Sequence, residues 1–393
     1  MASKPSSPFD NPWALPLDRT RTQVNNMCWR VQNVPYDWTK ETLRAHLEPL
    51  SDRGCLEVSW ITLHPAVSSA TQTALLCFKV VPSFFQDLNP NEAHPLKIGE
   101  YTEGDLSIDC HFRGLTPLNT PTGDSIIDII AVTGLGGHAF GSWRNRKSYR
   151  MWFMDFLPVD LAENVRVMTY GYDSDLQTPG RKTLLEFSRK FLQSLMNARA
   201  SGDEGSRPIV FIGHSLGCVL IARALVKSRS DPNYQSIFPS TRAMFFFGAP
   251  HAGLDVDALV GMVDNVTLGD RKSTRAKLLD HLRENSEYLE EHKENVVQLW
   301  SKPKLQVVSF YELRKTRIVA KDHSGEWARN GTEVQLVQNM SSLLFIPLEV
   351  RYSVDEDHSE MVKFMNPTDE TYRTVIRHTR GLLAQYAAEH LSL

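Results

Sequence analysis

A sharp turn between an apolar strand and a helix, centred on Ser215, constrains the fold of this chain more than any other feature. The apolar run at residues 209–212 predicts a buried parallel strand, and residues 218–226 predict the helix that leaves the turn. Between them stands the sequence Gly-His-Ser-Leu-Gly, at positions 213–217. Glycines at both flanks allow a bend in which Cβ atoms would collide. The pattern therefore predicts a strained Ser215 whose hydroxyl stands above the edge of a sheet.

Strands and helices alternate from residue 124 onward, which is typical of a parallel sheet with helices on both faces. Strands are expected at 126–132, 165–170, 209–212, 244–247, 305–311 and 343–350, and helices from 151, at 182–200 and at 368–390. A mostly helical insertion is expected at about 254–303, with helices at 256–263, 273–289 and 296–300. The insertion is interpreted either as a lid over an acyl pocket or as helices packed on the sheet.

Residues 22–115 are predicted to form a separate unit, after a Pro- and Ser-rich tail at 1–21 that is expected to be disordered. Their elements follow the order β-α-β-β-α-β of the ferredoxin-like fold, which RNA-recognition domains share. Those domains stack bases on aromatic side chains, whereas Arg30 occupies the stacking position of the first strand. Residues 1–115 carry ten Lys and Arg against thirteen Asp and Glu, a balance that disfavours RNA. We expect no nucleic acid partner here, and a packing or protein-contact role.

The composition indicates a soluble protein of a reducing compartment. Apolar residues make up 41% of the 393, and the net charge of −3 gives no reason to expect a polyanionic partner. The five cysteines are widely spaced without a C-x-x-C pair, so neither a disulfide framework nor a zinc site is expected; they are Cys28, Cys55, Cys77, Cys110 and Cys218. No apolar stretch approaches the length of a membrane span, and the first residues lack the apolar core of a signal peptide. Membrane association is expected to be peripheral at most.

The base that a serine nucleophile requires is predicted at His358. A serine hydroxyl is a weak nucleophile near neutral pH, and in folds with this type of turn its partners follow in the order serine, acid, histidine. His358 lies after the last predicted strand, on a loop ahead of the closing helix. His251 is the alternative, because it follows the strand next to the serine, but chain order favours a pocket-lining role for it. His214 and His138 are further pocket-lining candidates.

The acid that orients this base is predicted at Glu312, at the end of the strand expected at 305–311. Asp322 comes slightly later in the chain and is the alternative acid. Asp355 and Asp357 flank His358 and are more simply interpreted as solvated loop charges. The interpretation without catalysis is that Glu312 merely ends an edge strand.

Two backbone N–H groups are predicted to hold the oxyanion that forms when a serine attacks an acyl carbon. The first belongs to Leu216, at the start of the helix after the turn. The second is expected from Leu135 or Gly136, because the glycines at 134–137 let the backbone approach a ligand closely. This loop has neither the third spaced glycine of a dinucleotide site nor the Gly-Lys-Ser/Thr of a P-loop. No cofactor and no metal are therefore expected.

Five motifs in order along the chain resemble the serine-active-site-containing lipase-like α/β-hydrolases, relatives of the inositol deacylase of glycosylphosphatidylinositol anchors. They are Gly-Leu-Gly-Gly-His at 134–138, Met-Thr-Tyr-Gly-Tyr-Asp at 168–173, Gly-His-Ser-Leu-Gly at 213–217, Phe-Gly-Ala-Pro-His at 247–251 and Asp-His-Ser at 357–359. The resemblance covers about residues 115–390 and implies an α/β-hydrolase domain at 116–393 with a triad of Ser215, Glu312 and His358. It also implies acyl-ester substrates, often lipids, and a place at endoplasmic reticulum or mitochondrial membranes. In that family the loop usually begins with a histidine, where this chain has Thr133.

The sequence therefore predicts a serine carboxylic-ester hydrolase, of esterase or lipase type, that works through an acyl-enzyme. The expected fold class is α/β, with an α/β-hydrolase domain preceded by a small ferredoxin-like α+β domain. Two alternatives stay open. One is a catalytically silent hydrolase fold that binds a protein partner through its ferredoxin-like part, and the other is RNA binding by that part.

Overall fold

Two β-sheets, one antiparallel and one mostly parallel, organise the chain. The computed structural model describes residues 27–52, 57–67, 70–86, 88–89, 91–96, 106–162, 164–174, 183–200, 205–257, 274–300, 305–317, 320–321, 327–328 and 331–391. The tail expected at 1–21, the helix expected at 256–263 beyond its first two residues, Cys55 and Asp322 lie outside these ranges.

The antiparallel sheet is built from the N-terminal part of the chain. Its elements are β1 (Cys28–Val34), α1 (Lys40–Leu47), β2 (Val58–Pro65), β3 (Gln72–Phe78), α2 (Ser83–Gln86), β4 (His94–Leu96) and β5 (Leu106–Asp109). The strand order is β2-β3-β1-β5-β4. One face packs Trp29, Val31 and Phe78 against Leu43 of α1 and Phe85 of α2. The elements follow the expected β-α-β-β-α-β order, with the short strand β4 in addition.

The second sheet has seven strands and contains the turn at Ser215. Its strands are β6 (Gly114–Pro117), β7 (Ile127–Val132), β8 (Val165–Gly171), β9 (Ile209–His214), β10 (Thr241–Phe247), β11 (Gln306–Glu312) and β16 (Glu349–Val354). Four two-residue strands between β11 and β16 pair with each other outside this sheet: β12 (Thr316–Arg317), β13 (Ala320–Lys321), β14 (Trp327–Ala328) and β15 (Glu333–Val334). Its helices are α3 (Trp152–Asp155), α4 (Leu157–Asp160), α5 (Leu184–Ala198), α6 (Leu216–Ser230), α7 (Ile237–Ser240), α8 (Thr274–Leu282), α9 (Glu287–Trp300) and α10 (Glu370–Leu391).

The topology of this sheet confirms the expected α/β-hydrolase fold. The strand order is β16-β11-β10-β9-β7-β8-β6, and every neighbouring pair is parallel except β6 with β8. Because parallel strands end at the same edge, the loops after β7, β9, β10, β11 and β16 all begin on one side of the sheet. The candidate residues of the site lie on these loops or at the strand ends that precede them.

Local sequence signals account for the helices that cover the sheet. Thr183 and Glu186 form a capping box at the start of α5, where the Glu186 carboxylate accepts the Thr183 N–H. The helix then buries one apolar stripe against the sheet: Leu184, Phe187, Phe191, Leu192 and Leu195. Asp369 caps α10, since its side chain accepts the N–H groups of Thr371 and Tyr372.

The last strand is displaced from its predicted position. It was expected at 343–350 but is β16, Glu349–Val354. Residues 343–346 instead form an irregular segment in which Phe345 has φ of 59°, and the Glu349 carboxylate accepts the N–H groups of Leu344 and Phe345. Leu343, Leu344 and Ile346 are buried in this segment, so their apolar character reflects packing and not a strand.

The helical insertion also differs from its prediction. The region expected as a single helix at 273–289 forms two helices, α8 and α9. Asn285, between them, has φ of 58°, a conformation that ends helices. Ser286 caps the start of α9, because its hydroxyl accepts the Leu289 N–H. Leu282, Leu289, Val296 and Trp300 are buried in the main apolar cluster beside the sheet. The described helices of the insertion therefore pack beside the sheet, and a lid role stays a prediction.

Strand β6 was not predicted, because its sequence Gly-Leu-Thr-Pro has no alternating pattern. It pairs with β8 through four residues and is the antiparallel edge of the hydrolase sheet. The predicted boundary at 115/116 falls inside this strand. We propose that the boundary between the two domains lies immediately before Gly114.

Contacts bury the second face of the antiparallel sheet against the hydrolase sheet. Cys28 of β1 and Leu75 of β3 belong to the same apolar cluster as Ile129 and Phe140. Arg30 is 2% exposed, and its guanidinium donates to Asp109 (2.9 Å), to the Thr116 hydroxyl (2.7 Å) and to the Arg113 carbonyl (2.9 Å). The face that stacks bases in RNA-recognition domains is thus occupied by contacts within the chain.

The long helices of the described regions carry too many polar residues to cross a bilayer, and none qualifies as a membrane span. The four cysteines in these regions are buried: Cys28, Cys77, Cys110 and Cys218.

Candidate active site

Ser215 occupies the turn between β9 and α6 in a conformation that non-glycine residues rarely adopt. Its φ is 51° and its ψ is −126°. Such conformations store about 1–3 kcal/mol of strain and cluster at functional sites. The Ser215 N–H donates to the Phe247 carbonyl (2.8 Å), which fixes the turn to the neighbouring strand β10. The residue is 6% exposed.

The two glycines of the motif permit close packing on both sides of the turn. A Cβ atom on Gly213 would come within 2.9 Å of the Cα of Cys218, in the first turn of α6. A Cβ atom on Gly217 would collide with the backbone carbonyl oxygens of Val132 and Thr133 at the end of β7. The glycines are therefore required by contacts between elements as well as by the bend itself.

His358 and Glu312 form a buried hydrogen-bonded pair at the same edge of the sheet. The His358 Nδ1 lies 3.1 Å from the Oε2 of Glu312, and the two residues are 5% and 1% exposed. A carboxylate can only accept, so Nδ1 carries the proton and Nε2 presents a lone pair. The other Glu312 oxygen accepts the Val337 N–H (3.3 Å), and the His358 N–H donates to the Thr316 hydroxyl (3.2 Å). Both side chains are thus held in place by the segments around them.

The other acids near the base have different contacts. Asp355 is exposed and pairs with Arg314, while the Asp357 side chain accepts the N–H groups of Ser359 and Glu360. Asp322, the alternative acid, lies outside the described residues. Glu312 is therefore the acid that the structure places on the imidazole, at the last position of β11 rather than after it.

The serine turn and the histidine loop meet around the residues that follow β10. Gly248 has φ of 55°, and a Cβ atom there would come within 2.8 Å of the His358 ring. His214 joins the same two segments, since its Nε2 donates to the His358 carbonyl (2.7 Å) and the two rings lie 4.9 Å apart. Burial, and then the neighbouring His358, hold the pKa of His214 well below its ordinary value. His214 therefore anchors the histidine loop as a neutral donor.

The glycine-rich loop after β7 lies directly against Ser215. A Cβ atom on Gly134 would come within 2.8 Å of the Ser215 Cβ. The Gly136 N–H is engaged elsewhere, because it donates to the Ser174 hydroxyl (3.0 Å). Of the two predicted alternatives for the second oxyanion donor, Leu135 is thus favoured over Gly136. The first donor, Leu216, begins α6 next to Ser215.

Two of the predicted pocket-lining histidines have structural surroundings. The His138 Nδ1 accepts the N–H groups of Phe140 (3.1 Å) and Gly141 (2.9 Å), and its Nε2 donates to the Cys110 carbonyl (2.7 Å). His251 is 2% exposed, and its ring lies edge-on to Phe246. Burial lowers the pKa of His251 to about 3. We find neither of them in contact with Ser215 or His358 among the contacts of the described residues.

Sequence reasoning did not identify the residues that hold the glycine-rich loop. Ser174 accepts the Gly136 N–H, and the Tyr172 hydroxyl donates to the Thr133 carbonyl (3.0 Å). Thr133 stands where the resembled family has a histidine, and its backbone is fixed by this bond. Tyr172 belongs to the motif at 168–173, which could have indicated a functional role for it, but its partner lies 39 positions away in the chain.

The arrangement combines the groups that acyl transfer by a serine requires. A hydroxyl at a strained turn, a buried imidazole, a carboxylate on its Nδ1 and a helix N-terminus converge at one sheet edge. In the described regions no group of three or more His, Cys, Asp or Glu side chains is arranged to hold a metal ion.

Comparisons with known proteins found curated relatives at low identity. No protein-family model matches the chain. It is 29% identical to Protein SERAC1 of Danio rerio over 145 residues, which cover 32% of this chain and 22% of that protein. It is 25% identical to Protein SERAC1 of Mus musculus over 218 residues, which cover 49% of this chain and 32% of that protein. The matched segments thus span less than a third of these relatives.

Solved structures with a similar fold include lipolytic enzymes. The mature lipase BlEst2 of Bacillus licheniformis is 12% identical with a TM-score of 0.43, over 67% of this chain and 97% of that one. Phospholipase PlaB of Legionella pneumophila is 13% identical with a TM-score of 0.40, over 56% and 45%. The chain is an α/β-hydrolase in fold and is similar, over part of its length, to SERAC1 proteins.

Proposed function

We propose that this protein is a serine hydrolase of lipase or esterase type that cleaves carboxylic esters through an acyl-enzyme. The observation that carries the proposal is the buried His358–Glu312 pair, which lies beside the strained Ser215 turn and is fastened to it through His214. An imidazole oriented by a carboxylate is the device that activates a serine hydroxyl. The same order of serine, acid and histidine along the chain is typical of this fold.

In the proposed mechanism the Ser215 oxygen attacks the acyl carbon while the Nε2 of His358 takes the hydroxyl proton. Glu312 stabilises the imidazolium that forms and keeps its ring in place. The N–H groups of Leu216 and Leu135 hold the oxyanion of the tetrahedral intermediate. His358 then donates its proton to the leaving alcohol, and a water molecule, deprotonated by the same imidazole, releases the acid from Ser215.

We propose acyl esters as the substrate class, lipids among them, and no cofactor in the reaction. The resemblance in five motifs supports the class, and the similarity to SERAC1 proteins covers part of the same region. A reducing compartment is proposed as well, supported by the five widely spaced cysteines without a C-x-x-C pair. Peripheral attachment at endoplasmic reticulum or mitochondrial membranes stays a prediction from the family resemblance.

A series of p-nitrophenyl esters of graded chain length tests this proposal. We expect turnover with an initial burst of nitrophenol, because the acyl-enzyme forms before it is hydrolysed. Ser215→Ala should abolish the burst, whereas Ser230→Ala, at the far end of the same helix, should leave it unchanged. The proposal would be contradicted if hydrolysis persisted in Ser215→Ala, or if the wild type hydrolysed none of the esters.

A further inference from the structure

The glycine-rich loop is joined to the antiparallel sheet by the half-buried side chain of His138, which lies in the loop. Its Nδ1 accepts two backbone N–H groups of its own loop, from Phe140 and Gly141, so the ring proton resides on Nε2. That Nε2–H donates to the Cys110 carbonyl at 2.7 Å. The backbone N–H of His138 donates in turn to the Ser142 hydroxyl (3.0 Å). The imidazole therefore joins the loop to the segment that follows β5.

The segment around Cys110 is itself fixed from the antiparallel sheet. The Phe112 N–H donates to Asp109 (2.8 Å), the last residue of β5, and Phe112 has φ of 52°. Asp109 is fully buried and paired with Arg30 of β1 at 2.8 Å. A buried ion pair with additional hydrogen bonds holds its members in one geometry. The carbonyl that receives His138 thus has a position set by two strands of the antiparallel sheet.

Aromatic contacts supply a second connection at the same place. The Phe112 ring lies 5.1 Å from the His138 ring and 5.9 Å from that of Phe140. Trp60 of β2 stacks on Phe140 at 6.1 Å. Strand β2, through Trp60, and the turn that ends β5 therefore both touch residues 138–140.

The loop held in this way also carries the proposed oxyanion donor. Leu135 lies three residues before His138, and Gly134 packs on the Ser215 Cβ with no room for a methyl group. A donor N–H must lie within a few tenths of an ångström of its place to stabilise an oxyanion, and misplacement by about 1 Å can lower a rate about 100-fold. Any shift of residues 138–141 would be passed to Leu135 through this short glycine-rich segment.

We propose that the antiparallel sheet positions the oxyanion loop of the hydrolase domain, with His138 as the positioning residue. This inference rests on the proposed function. It gives the N-terminal domain a role in catalysis that needs neither RNA nor a protein partner. His138 does not touch the reacting atoms in this account, because it acts through the placement of the Leu135 N–H.

The test compares His138→Leu with His138→Gln in the full chain, since the Gln amide can still donate near the position of Nε2. His138→Leu should lower kcat for a p-nitrophenyl ester about 10- to 100-fold with little change in KM, and His138→Gln should recover most of it. His94→Gln is the matched control: His94 lies on β4 of the same sheet, and its Nε2 bonds to the exposed Asn89 carbonyl. It should behave as wild type.

A transition-state analogue separates positioning from a general loss of folding. The Ser215 oxygen adds to the carbonyl carbon of a trifluoromethyl ketone, and the hydroxyl proton passes to His358. The ketone oxygen becomes an oxyanion that the N–H groups of Leu216 and Leu135 would hold. Its inhibition constant should rise in His138→Leu by the factor that kcat falls, while a product carboxylic acid binds as before. Equal inhibition constants in active wild type and His138→Leu would overturn the inference, as would a His138→Gln variant as impaired as His138→Leu. A wild type without Ser215-dependent turnover would instead overturn the proposed function.

Discussion

Ser215 lies in the turn after β9, Glu312 ends β11 and His358 lies in the loop after β16. Their arrangement depends on side chains that take no part in proton transfer. His214 is the clearest case, because it precedes the serine in the chain and yet bonds to the carbonyl of the histidine. Burial keeps it neutral, so it presents a donor to that carbonyl without adding a positive charge beside the base. The geometry of the base is therefore set partly from the serine turn itself.

Replacing Glu312 by Gln tests the acid of the triad. The amide can donate to Nδ1 and so favours the wrong imidazole tautomer, and it cannot stabilise the imidazolium. We expect kcat to fall about 10³- to 10⁴-fold with the fold intact, measured on a p-nitrophenyl ester together with a thermal melt.

Two controls make this experiment specific. Asp355→Asn removes a carboxylate that is close to His358 in sequence but exposed and paired with Arg314, and its activity should match wild type. Asp322→Asn should also stay active. Full activity in Glu312→Gln together with inactivity in Asp322→Asn would show that Asp322 is the acid.

At this scale the sequence was most informative where chain order limits the choices. The order of serine, acid and histidine favoured His358, and a place at the end of a strand favoured Glu312 over Asp322. The side chains of Glu312 and His358 are hydrogen bonded, and their catalytic roles stay predictions. The pairing of His214 with His358 joins positions 144 apart, and that of His138 with Cys110 joins positions 28 apart. No local pattern records such contacts, so both residues were known only as candidates for lining a pocket.

The elements that form the site are held in register by close backbone approaches. The start of α6 passes directly over the end of β7, and Gly217 makes this possible because it has no Cβ atom. The contact connects the helix that offers the Leu216 N–H to the strand that leads into the glycine-rich loop. The two proposed oxyanion donors are therefore fixed relative to each other by this crossing.

Gly217→Ala should break this crossing. The new methyl group would collide with the carbonyl oxygens of Val132 and Thr133, and overpacking of this kind lowers the free energy of unfolding by about 1–3 kcal/mol. Helix propensity alone would favour Ala by about 1 kcal/mol, so the two effects have opposite signs. Urea unfolding measures the balance, and ester hydrolysis should fall with it.

Gly123→Ala is the control for this substitution. A Cβ atom there has no neighbour within 4 Å among the atoms of the structure's described part. Its free energy of unfolding should stay within about 0.5 kcal/mol of wild type. If Gly217→Ala proved as stable as this control, the crossing would not be tight.

Elements with long periodic patterns were predictable, and short or interrupted ones were not. The amphipathic stripe located α5 within two residues at each end. Strands β4 and β6, of three and four residues, are too short to show a period. The apolar run at 343–346 was mistaken for a strand because a buried irregular segment can be as rich in apolar residues as a buried strand. Asn285 breaks the predicted helix through a positive φ that its sequence permits but does not require.

At the scale of the whole molecule, the antiparallel sheet and the hydrolase sheet are joined by one apolar cluster. The antiparallel sheet packs one face on its own helices and the other on the hydrolase sheet, and its turns support the loop beside Ser215. The buried face explains why the RNA-like element order is not accompanied by exposed stacking aromatics on β1. The fold class of the hydrolase part was predictable from the alternation of strands and helices. The contact between the sheets was not, because it depends on isolated residues such as Arg30.

Acid should destabilise the whole molecule because it contains buried neutral histidines. Burial lowers the pKa of His292 to about 4 and that of His251 to about 3, below the ordinary value of 6.5. The unfolded chain therefore binds more protons than the folded one at intermediate pH, and stability that is full above pH 6.5 is lost as the pH falls toward these values. Each group should remove about 2 kcal/mol between pH 7.5 and pH 5.

Urea unfolding at pH 7.5, 6 and 5 measures this loss. His292→Gln should flatten the pH dependence, since Gln does not titrate, whereas His94→Gln, a half-buried position on the edge strand β4, is the control and should leave it unchanged. A free energy of unfolding that is constant from pH 7.5 to pH 5 would show that these two imidazoles are not buried as described.

The most direct test of the central claim is covalent labelling by a fluorophosphonate, read by intact mass and by the identity of the modified peptide. A fluorophosphonate reacts only with a serine that a neighbouring base activates, and its phosphonyl group remains on the attacked oxygen. We predict one label per molecule of the full-length protein, on Ser215, at a rate that falls sharply in Glu312→Gln and is unchanged in Ser230→Ala. Wild-type protein that is folded and stays unlabelled, or that carries the label equally after Ser215→Ala, would contradict the account.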